Sequence, residues 1–174
     1  AVGLVNWLST RLVTPQPLPR MDFSKGIPPD ELTLTVVPTM LTSSENTERL
    51  LDALEVRFLA NRDENLRFGL LTDFSDAGAE NLPGDEALLA LARQGIEALN
   101  TKYGGPRGDA FFLFHRPRQW NPEDRIWMGY ERKRGKLEAL NTLLRGGTHA
   151  DFSLIVGDVK ALAGIKYVIT LDTD

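Results

Sequence analysis

The clearest candidates for chemistry are two aspartates at the end of the chain, Asp172 and Asp174. They follow residues 167–171, an apolar and β-branched run that predicts a strand buried on both faces. Alternate residues of a strand share a face, so both carboxylates can point to one spot beyond the strand. Two hard oxygen ligands at that position are typical of a divalent cation that also holds phosphates. The alternative for so short a motif is a solvated turn.

A further carboxylate, Asp73, follows residues 66–71, which also predict a buried strand. In a parallel sheet it would lie on the same edge as Asp172, because the carboxyl ends of the strands meet there. A carboxylate at that edge can accept hydrogen bonds from a base or a ribose. The commoner use of a loop aspartate is an Asx turn or a helix cap, and this reading stays open.

Basic residues are concentrated in one segment of an acidic chain. Residues 115–136 hold seven Arg or Lys and three acids, a net charge of +4. The whole chain has a net charge of −4, so the remaining residues carry a net charge of −8. This distribution indicates a local anion site rather than a nucleic-acid face. Gly135 would let backbone approach a ligand, and Lys136 is predicted to open a helix over 136–144, whose N-terminus favours anions. A solvated basic turn is the alternative.

The same segment carries Trp120, Trp127 and Tyr130. Aromatic side chains beside arginines can stack on a base or a sugar. More often they fix a long loop to its domain, and this second interpretation is favoured here.

The composition excludes several classes of site. The chain has 174 residues and no cysteine, which excludes disulfides and thiolate metal sites. Two histidines, His115 and His149, argue against a multi-histidine zinc centre. No apolar run reaches the length of about 20 residues that a membrane span needs. Residues 2–13 predict a short helix without a basic leader, either an amphipathic helix beside a membrane or part of a longer element.

Strand and helix patterns alternate along the chain, which predicts an α/β fold with a mostly parallel sheet. We expect a Rossmann-like three-layer α/β/α arrangement in residues 31–174, after an N-terminal helix and a proline-rich linker in residues 1–30. The predicted strands are 32–37, ending at Pro38, then 66–71, 110–115, a short segment in 152–156, and 167–171. The predicted helices are 44–61, opened by a capping box from Thr42 to Glu45, then 85–103 and 136–144.

Four stretches resemble, in order, the landmarks of processive GT-A glycosyltransferases such as cellulose synthases. They are VVPT (36–39), TD (72–73), KLEALN (136–141) and LDTD (171–174). A longer string, 115–118 with 127–136 and 167–174, resembles more specifically the glycosyltransferase region of cyclic β-1,2-glucan synthases. The resemblance covers roughly residues 32–174.

The resemblance implies a bacterial enzyme on the cytoplasmic face of the inner membrane that transfers glucose from UDP-glucose to a growing β-1,2-glucan. It also implies that the remainder of a larger membrane protein is a partner of this region. The implied residue roles are a uridine pocket of Pro38, Thr39 and Asp73, a nucleotide contact by Lys136, and a site for Mg²⁺ or Mn²⁺ and the diphosphate at Asp172 and Asp174.

The match departs from the family in one respect. Such enzymes carry the general base and an acceptor-site motif after the Asp-x-Asp pair, and Asp174 is the last residue here. We therefore expect half of a donor site and no complete catalytic apparatus. Two other classes stay open, a non-catalytic module that pairs through an open sheet edge, and another nucleotide-phosphate enzyme such as a nucleotidyltransferase.

Overall fold

A computed structural model describes residues 2–12, 24–105 and 108–172. Asp174 and the proline-rich stretch lie outside these ranges, so predictions about them stay untested. No helix among the described residues has the length and apolarity needed to cross a lipid bilayer.

The described residues form a mixed α/β fold, as predicted. The helices are α1 (Val2–Leu12), α2 (Ser44–Ala60), α3 (Asp85–Tyr103) and α4 (Arg132–Leu144). The strands are β1 (Thr33–Leu41), β2 (Leu66–Phe74), β3 (Phe111–His115), β4 (Gln119–Asn121), β5 (Ile126–Met128), β6 (Leu154–Val156) and β7 (Tyr167–Thr170). A five-stranded sheet has the order β6-β3-β2-β1-β7, in which only β6 is antiparallel to its neighbour.

Helices cover both faces of the sheet, which gives three layers. On one face the apolar stripes of α2 and α3, including Leu54 and Ile96, pack on alternate strand residues such as Leu70. On the other face α4 packs through Leu140 on residues such as Phe112. The strand residues alternate between these two clusters because successive side chains of a strand point to opposite faces. Burial on both faces, predicted for β2 and β3, is confirmed.

Among α2, α3 and β1, two predicted boundaries differ from the structure. Helix α2 is capped by Ser43, whose hydroxyl accepts a hydrogen bond from the Asn46 N–H at 3.1 Å, so the predicted cap at Thr42 is one residue too early. Helix α3 has the predicted bounds. Strand β1 runs through Pro38 to Leu41, because Pro38 lies where the ladder to β2 continues but the ladder to β7 ends.

The end of the β1–β7 ladder has a local cause. The Leu171 N–H donates to the Val36 carbonyl at 2.9 Å. In a parallel register the next bond would come from the N–H of residue 38 to the Leu171 carbonyl. Pro38 has no N–H, so the ladder stops there and the chain leaves the sheet before Asp172.

The prediction that the last strand is buried on both faces is wrong. Strand β7 lies at the edge of the sheet, and Tyr167, Val168 and Ile169 are 39%, 42% and 47% exposed. In the described part of the chain, the two apolar clusters include Ile165 and Leu171 but not the residues between them. An apolar run does not distinguish an edge strand from a central one, because both can be built from the same residues.

Residues 116–131, for which no strand or helix is predicted, contain secondary structure of their own. Strands β4 and β5 form an antiparallel hairpin in which Trp120 faces Trp127, with ring centroids 5.9 Å apart. Trp127 also exchanges two backbone hydrogen bonds of 2.9 Å with Ala77. The hairpin is thereby joined to the loop that follows β2 through backbone hydrogen bonds. Trp120 and Tyr130 are 47% and 53% exposed, so the interpretation that aromatic side chains fix this segment stays a prediction.

A stability test follows from the position of Leu54, which is fully buried between α2 and the sheet. We expect Leu54→Ala to lower the free energy of unfolding by about 3–5 kcal/mol, since it removes apolar contact and leaves a cavity. Val56→Ala is the matched control, because Val56 belongs to the same helix and is 63% exposed. Its effect should stay within about 0.5 kcal/mol in urea unfolding followed by circular dichroism. Equal losses in the two variants would contradict the packing of α2 on the sheet.

Candidate functional site

The predicted site residues that the structure describes lie at the carboxyl edge of the sheet. The strand register places Thr39 beside Thr72 and Met40 beside Asp73. The Arg116 N–H, just after β3, donates to the Thr72 carbonyl at 3.0 Å. The ends of β1, β2 and β3 therefore lie side by side, as predicted from parallel pairing.

Asp73 is the centre of this edge. Its side chain is only 4% exposed, and Arg116 approaches it with two nitrogens: Nε lies 3.0 Å from Oδ1 and Nη2 lies 3.2 Å from Oδ2. The same Nη2 donates to the Tyr130 carbonyl at 2.9 Å. A two-point pair of this kind fixes both the position and the plane of the carboxylate.

Lys136 connects three elements at the same point. Its Nζ donates to the Thr39 carbonyl at 2.5 Å and lies 3.3 Å from Asp73 Oδ2, so α4 is tied to β1 and to β2. Burial lowers the pKa of Lys136, and the Asp73 carboxylate opposes that shift. With Lys136 charged, Asp73, Arg116 and Lys136 together carry one net positive charge in a buried position.

Two glycines are required by the close packing around Asp73. A Cβ on Gly129 would lie 2.2 Å from Asp73 Oδ2, and one on Gly135 would lie 2.3 Å from the Tyr130 carbonyl oxygen. The sequence predicts that Gly135 lets the backbone approach a ligand. In the structure the group that Gly135 approaches is the Tyr130 carbonyl. The predicted start of α4 at Lys136 is wrong, because the helix begins four residues earlier, at Arg132.

Asp172 lies on the same edge but in a different environment. Its carboxylate is 66% exposed and forms an ion pair with Lys133 in the first turn of α4. The structure thus brings Thr39, Asp73 and Lys136 into direct contact and joins Asp172 to them through α4. Pro38 is partly exposed at the same edge.

The described residues include no group of three or more His, Asp or Glu side chains that could enclose a metal ion. Asp172 nevertheless suits a hard cation that arrives with a nucleotide. Its carboxylate is exposed, and sites of the Mg²⁺ type use one or two carboxylates together with substrate phosphates. Asp174, the predicted second ligand, lies outside the described residues.

The cations of the basic segment are largely paired with carboxylates, most of which come from elsewhere in the chain. Six of its seven cations form ion pairs. The pairs are Arg116–Asp73, Arg118–Asp85, Arg132–Asp76, Lys133–Asp172, Arg134–Glu131 and Lys136–Asp73. The positive charge that remains for an anion is the net charge of Asp73, Arg116 and Lys136. Exposed ion pairs can add to it where a ligand replaces the carboxylate.

Three residues of this edge were not singled out by sequence reasoning: Arg116, Arg118 and Lys133. Arg118 is buried, donates to the Ser75 carbonyl at 2.6 Å and pairs with Asp85, so it holds the loop between β2 and α3. The available signal was the position of Arg116 and Arg118 directly after a buried strand, the same signal that marked Asp73. The two arginines instead enter the prediction only through the net charge of residues 115–136.

His115 ends β3 and is fully buried. Its Nδ1 lies 2.8 Å from the Thr72 hydroxyl, and its Nε2 is buried without a hydrogen-bond partner among the described residues. Burial lowers the pKa of His115 to about 4; the nearby Asp85 opposes this, whereas Lys136, Arg118 and Arg116 add to it. The ring is therefore neutral at neutral pH.

This pKa makes stability depend on pH in a defined interval. Because the folded pKa of about 4 lies below the unfolded value of about 6.5, folding favours the neutral ring. Its contribution is complete above pH 6.5 and is lost as the pH falls toward 4. Between pH 7.5 and 4.5 wild type should lose about 2–3 kcal/mol more unfolding free energy than His115→Gln. Urea unfolding at both pH values measures this difference.

The control is His149→Gln, which alters an exposed histidine and should follow wild type at both pH values. An identical pH dependence in His115→Gln and wild type would contradict the neutral, buried state of His115.

Comparison with known proteins gives one informative relative. No family model matches the chain. Cyclic beta-(1,2)-glucan synthase NdvB from Rhizobium meliloti (strain 1021) is 40% identical to it over 174 residues, which is 100% of this chain and 6% of that protein. The chain thus spans a small part of the relative it matches, and over its whole length it is similar to one segment of a cyclic β-glucan synthase.

Proposed function

We propose that this chain is the nucleotide-binding half of a GT-A glycosyltransferase domain, and that it binds the UDP part of UDP-glucose. The observation that carries the proposal is the arrangement at the carboxyl edge of the sheet. There the ends of β1 and β2 contact Lys136 of α4, and Asp172 contacts Lys133 of the same helix. The similarity to NdvB supports a glucan synthase as the protein in which this half works.

Each residue of the edge has a role in the proposal that its surroundings permit. Pro38 and Thr39 are partly exposed and would face the uridine. Asp73 is 4% exposed and would line the uridine pocket by holding Arg116 and Lys136 in fixed positions. Arg116 already balances the charge of Asp73, so the charge of Lys136 gives a net positive charge that favours an anionic ligand.

The exposed carboxylate of Asp172, with Asp174, would hold a Mg²⁺ or Mn²⁺ ion together with the diphosphate. When bound, such a cation withdraws negative charge from the UDP leaving group during glucosyl transfer. The residues of this chain bind and orient the donor, whereas the general base and the acceptor site would belong to other parts of the protein. In the proposed synthase, the acceptor is a growing β-1,2-glucan and the site faces the cytoplasm at the inner membrane.

The test is calorimetric titration of UDP into the chain with Mn²⁺ and, separately, with EDTA. We expect saturable binding that is stronger with Mn²⁺. In Asp172→Asn the gain from Mn²⁺ should fall by at least about tenfold, because a charge-assisted ligand is lost. Asp52→Asn is the matched control, since it makes the same change at an exposed position of α2 and should bind as wild type does.

Two outcomes would overturn the proposal. One is the absence of UDP binding under all conditions. The other is equal or tighter binding of ADP and GDP in a nucleotide panel, which would favour another nucleotide-phosphate enzyme such as a nucleotidyltransferase.

One observation favours a second candidate, a module that associates through its sheet edge. Among the described residues β7 pairs on one side only, with β1, and its apolar side chains are exposed, which are features that promote pairing with another strand. This candidate predicts a dimer in light scattering whose mass is independent of UDP and Mn²⁺ and reverts to monomer in Ile169→Lys. A monomer at all concentrations would exclude it.

A further inference from the structure

We propose that Lys133 is a positioning residue of the donor site, and that it makes binding of the divalent cation and binding of the nucleotide diphosphate depend on each other. The inference rests on the proposed function, which assigns the cation to Asp172. It adds a residue to the site and a reason why the two ligands favour each other's binding.

The inference starts from the contact between Lys133 and Asp172. The Lys133 ammonium is ion-paired with Asp172 Oδ1 at the end of β7. The side chains are 50% and 66% exposed, so water can replace either partner. Lys136, three residues later on the same helix, is only 5% exposed and is fixed between Thr39 and Asp73. Of these two lysines, Lys133 is therefore the exchangeable cation and Lys136 is the fixed one.

The second step concerns the charge of the first turn of α4. Arg132, Lys133 and Arg134 occupy it, although the N-terminus of a helix disfavours cations. Each of the three is held by its own carboxylate: Arg132 by Asp76 at 2.7 Å, Arg134 by Glu131 at 2.6 Å, and Lys133 by Asp172. Among these carboxylates, only Asp172 is assigned a second partner by the proposed function.

The third step follows from competition for one carboxylate. A divalent cation that binds alone must displace Lys133, which leaves an ammonium beside the positive end of a helix without its counterion. A cation that binds with a diphosphate brings an anion for which the same ammonium is a donor. Lys133 therefore opposes binding of the metal alone and favours binding of the metal with UDP. Such interdependence is a coupling free energy between two ligands.

The experiment compares Lys133→Met with wild type in two titrations. Binding of Mn²⁺ alone is measured from the electron paramagnetic resonance signal of the free ion. Binding of UDP, with and without Mn²⁺, is measured by calorimetry. Methionine keeps most of the length of the lysine stem and removes its charge, so packing along the helix is retained.

We expect Lys133→Met to bind Mn²⁺ alone about two- to fivefold more tightly, as for the loss of an exposed competing ion pair. UDP with Mn²⁺ should bind about tenfold more weakly, because a charge-assisted contact to phosphate is lost. With the affinity for UDP alone unchanged, the factor by which Mn²⁺ strengthens UDP binding should therefore fall by about tenfold.

Two matched variants separate this role from a general effect of charge. Arg134→Met removes a cation from the same helical turn that pairs with Glu131 instead of Asp172. It should leave the coupling factor within about twofold of wild type, since long-range effects of exposed charges are screened. Lys133→Arg restores the charge at the original position and should recover most of the coupling.

The outcomes distinguish this inference from the proposed function. If wild type binds UDP with Mn²⁺ but Lys133→Met and Arg134→Met have the same coupling factor, the role of Lys133 is refuted and the proposed function stands. Weaker binding of Mn²⁺ alone in Lys133→Met would also refute it, because no competition would then exist. If wild type does not bind UDP, the proposed function and this inference fail together.

Discussion

A buried carboxylate has to be paired, and the pairing of Asp73 is the constraint on which the carboxyl edge of this sheet depends. An ionised group with 4% exposure is costly to fold unless cations and hydrogen-bond donors surround it. Arg116 and Lys136 supply them from two different segments, one directly after β3 and one in α4. The apolar clusters set the layers of the fold. The Asp73 carboxylate, through its ion pair with Lys136, fixes where α4 lies relative to the strand ends.

The same constraint accounts for the hairpin that follows β3. Gly129 comes directly after β5 and lies against the Asp73 carboxylate with no room for a side chain. The Tyr130 carbonyl, the next along the chain, accepts a hydrogen bond from Arg116. The chain from β5 to α4 therefore wraps around one ion pair. A segment of this kind can be rich in charge and still be well packed, because its charges are paired internally rather than solvated.

Much of the fold follows from the sequence, because apolar periodicity records which faces are buried. The alternation of strands and helices and the bounds of α3 were predictable from that signal, whereas the contacts of Lys136 with Thr39 and Asp73 were not. Periodicity carries no information on whether a strand is central or at an edge, which is why the exposure of β7 was not predicted. It is also silent on ion pairs between distant segments. Arg116 lies 43 residues from Asp73, and no local pattern connects them.

At the start of α4, local helix preferences and ion pairs with distant segments favour different positions. Cations in a first helical turn are unfavourable, which argues for a later start at Lys136. The structure places Arg132, Lys133 and Arg134 in that turn all the same, since carboxylates at Asp76, Asp172 and Glu131 offset the cost. Two of these three acids follow strands β2 and β7, so the helix can begin at Arg132 only when the sheet is formed. The position of α4 is therefore a consequence of tertiary structure, and the candidate site is completed by the same ion pairs that allow the helix to form.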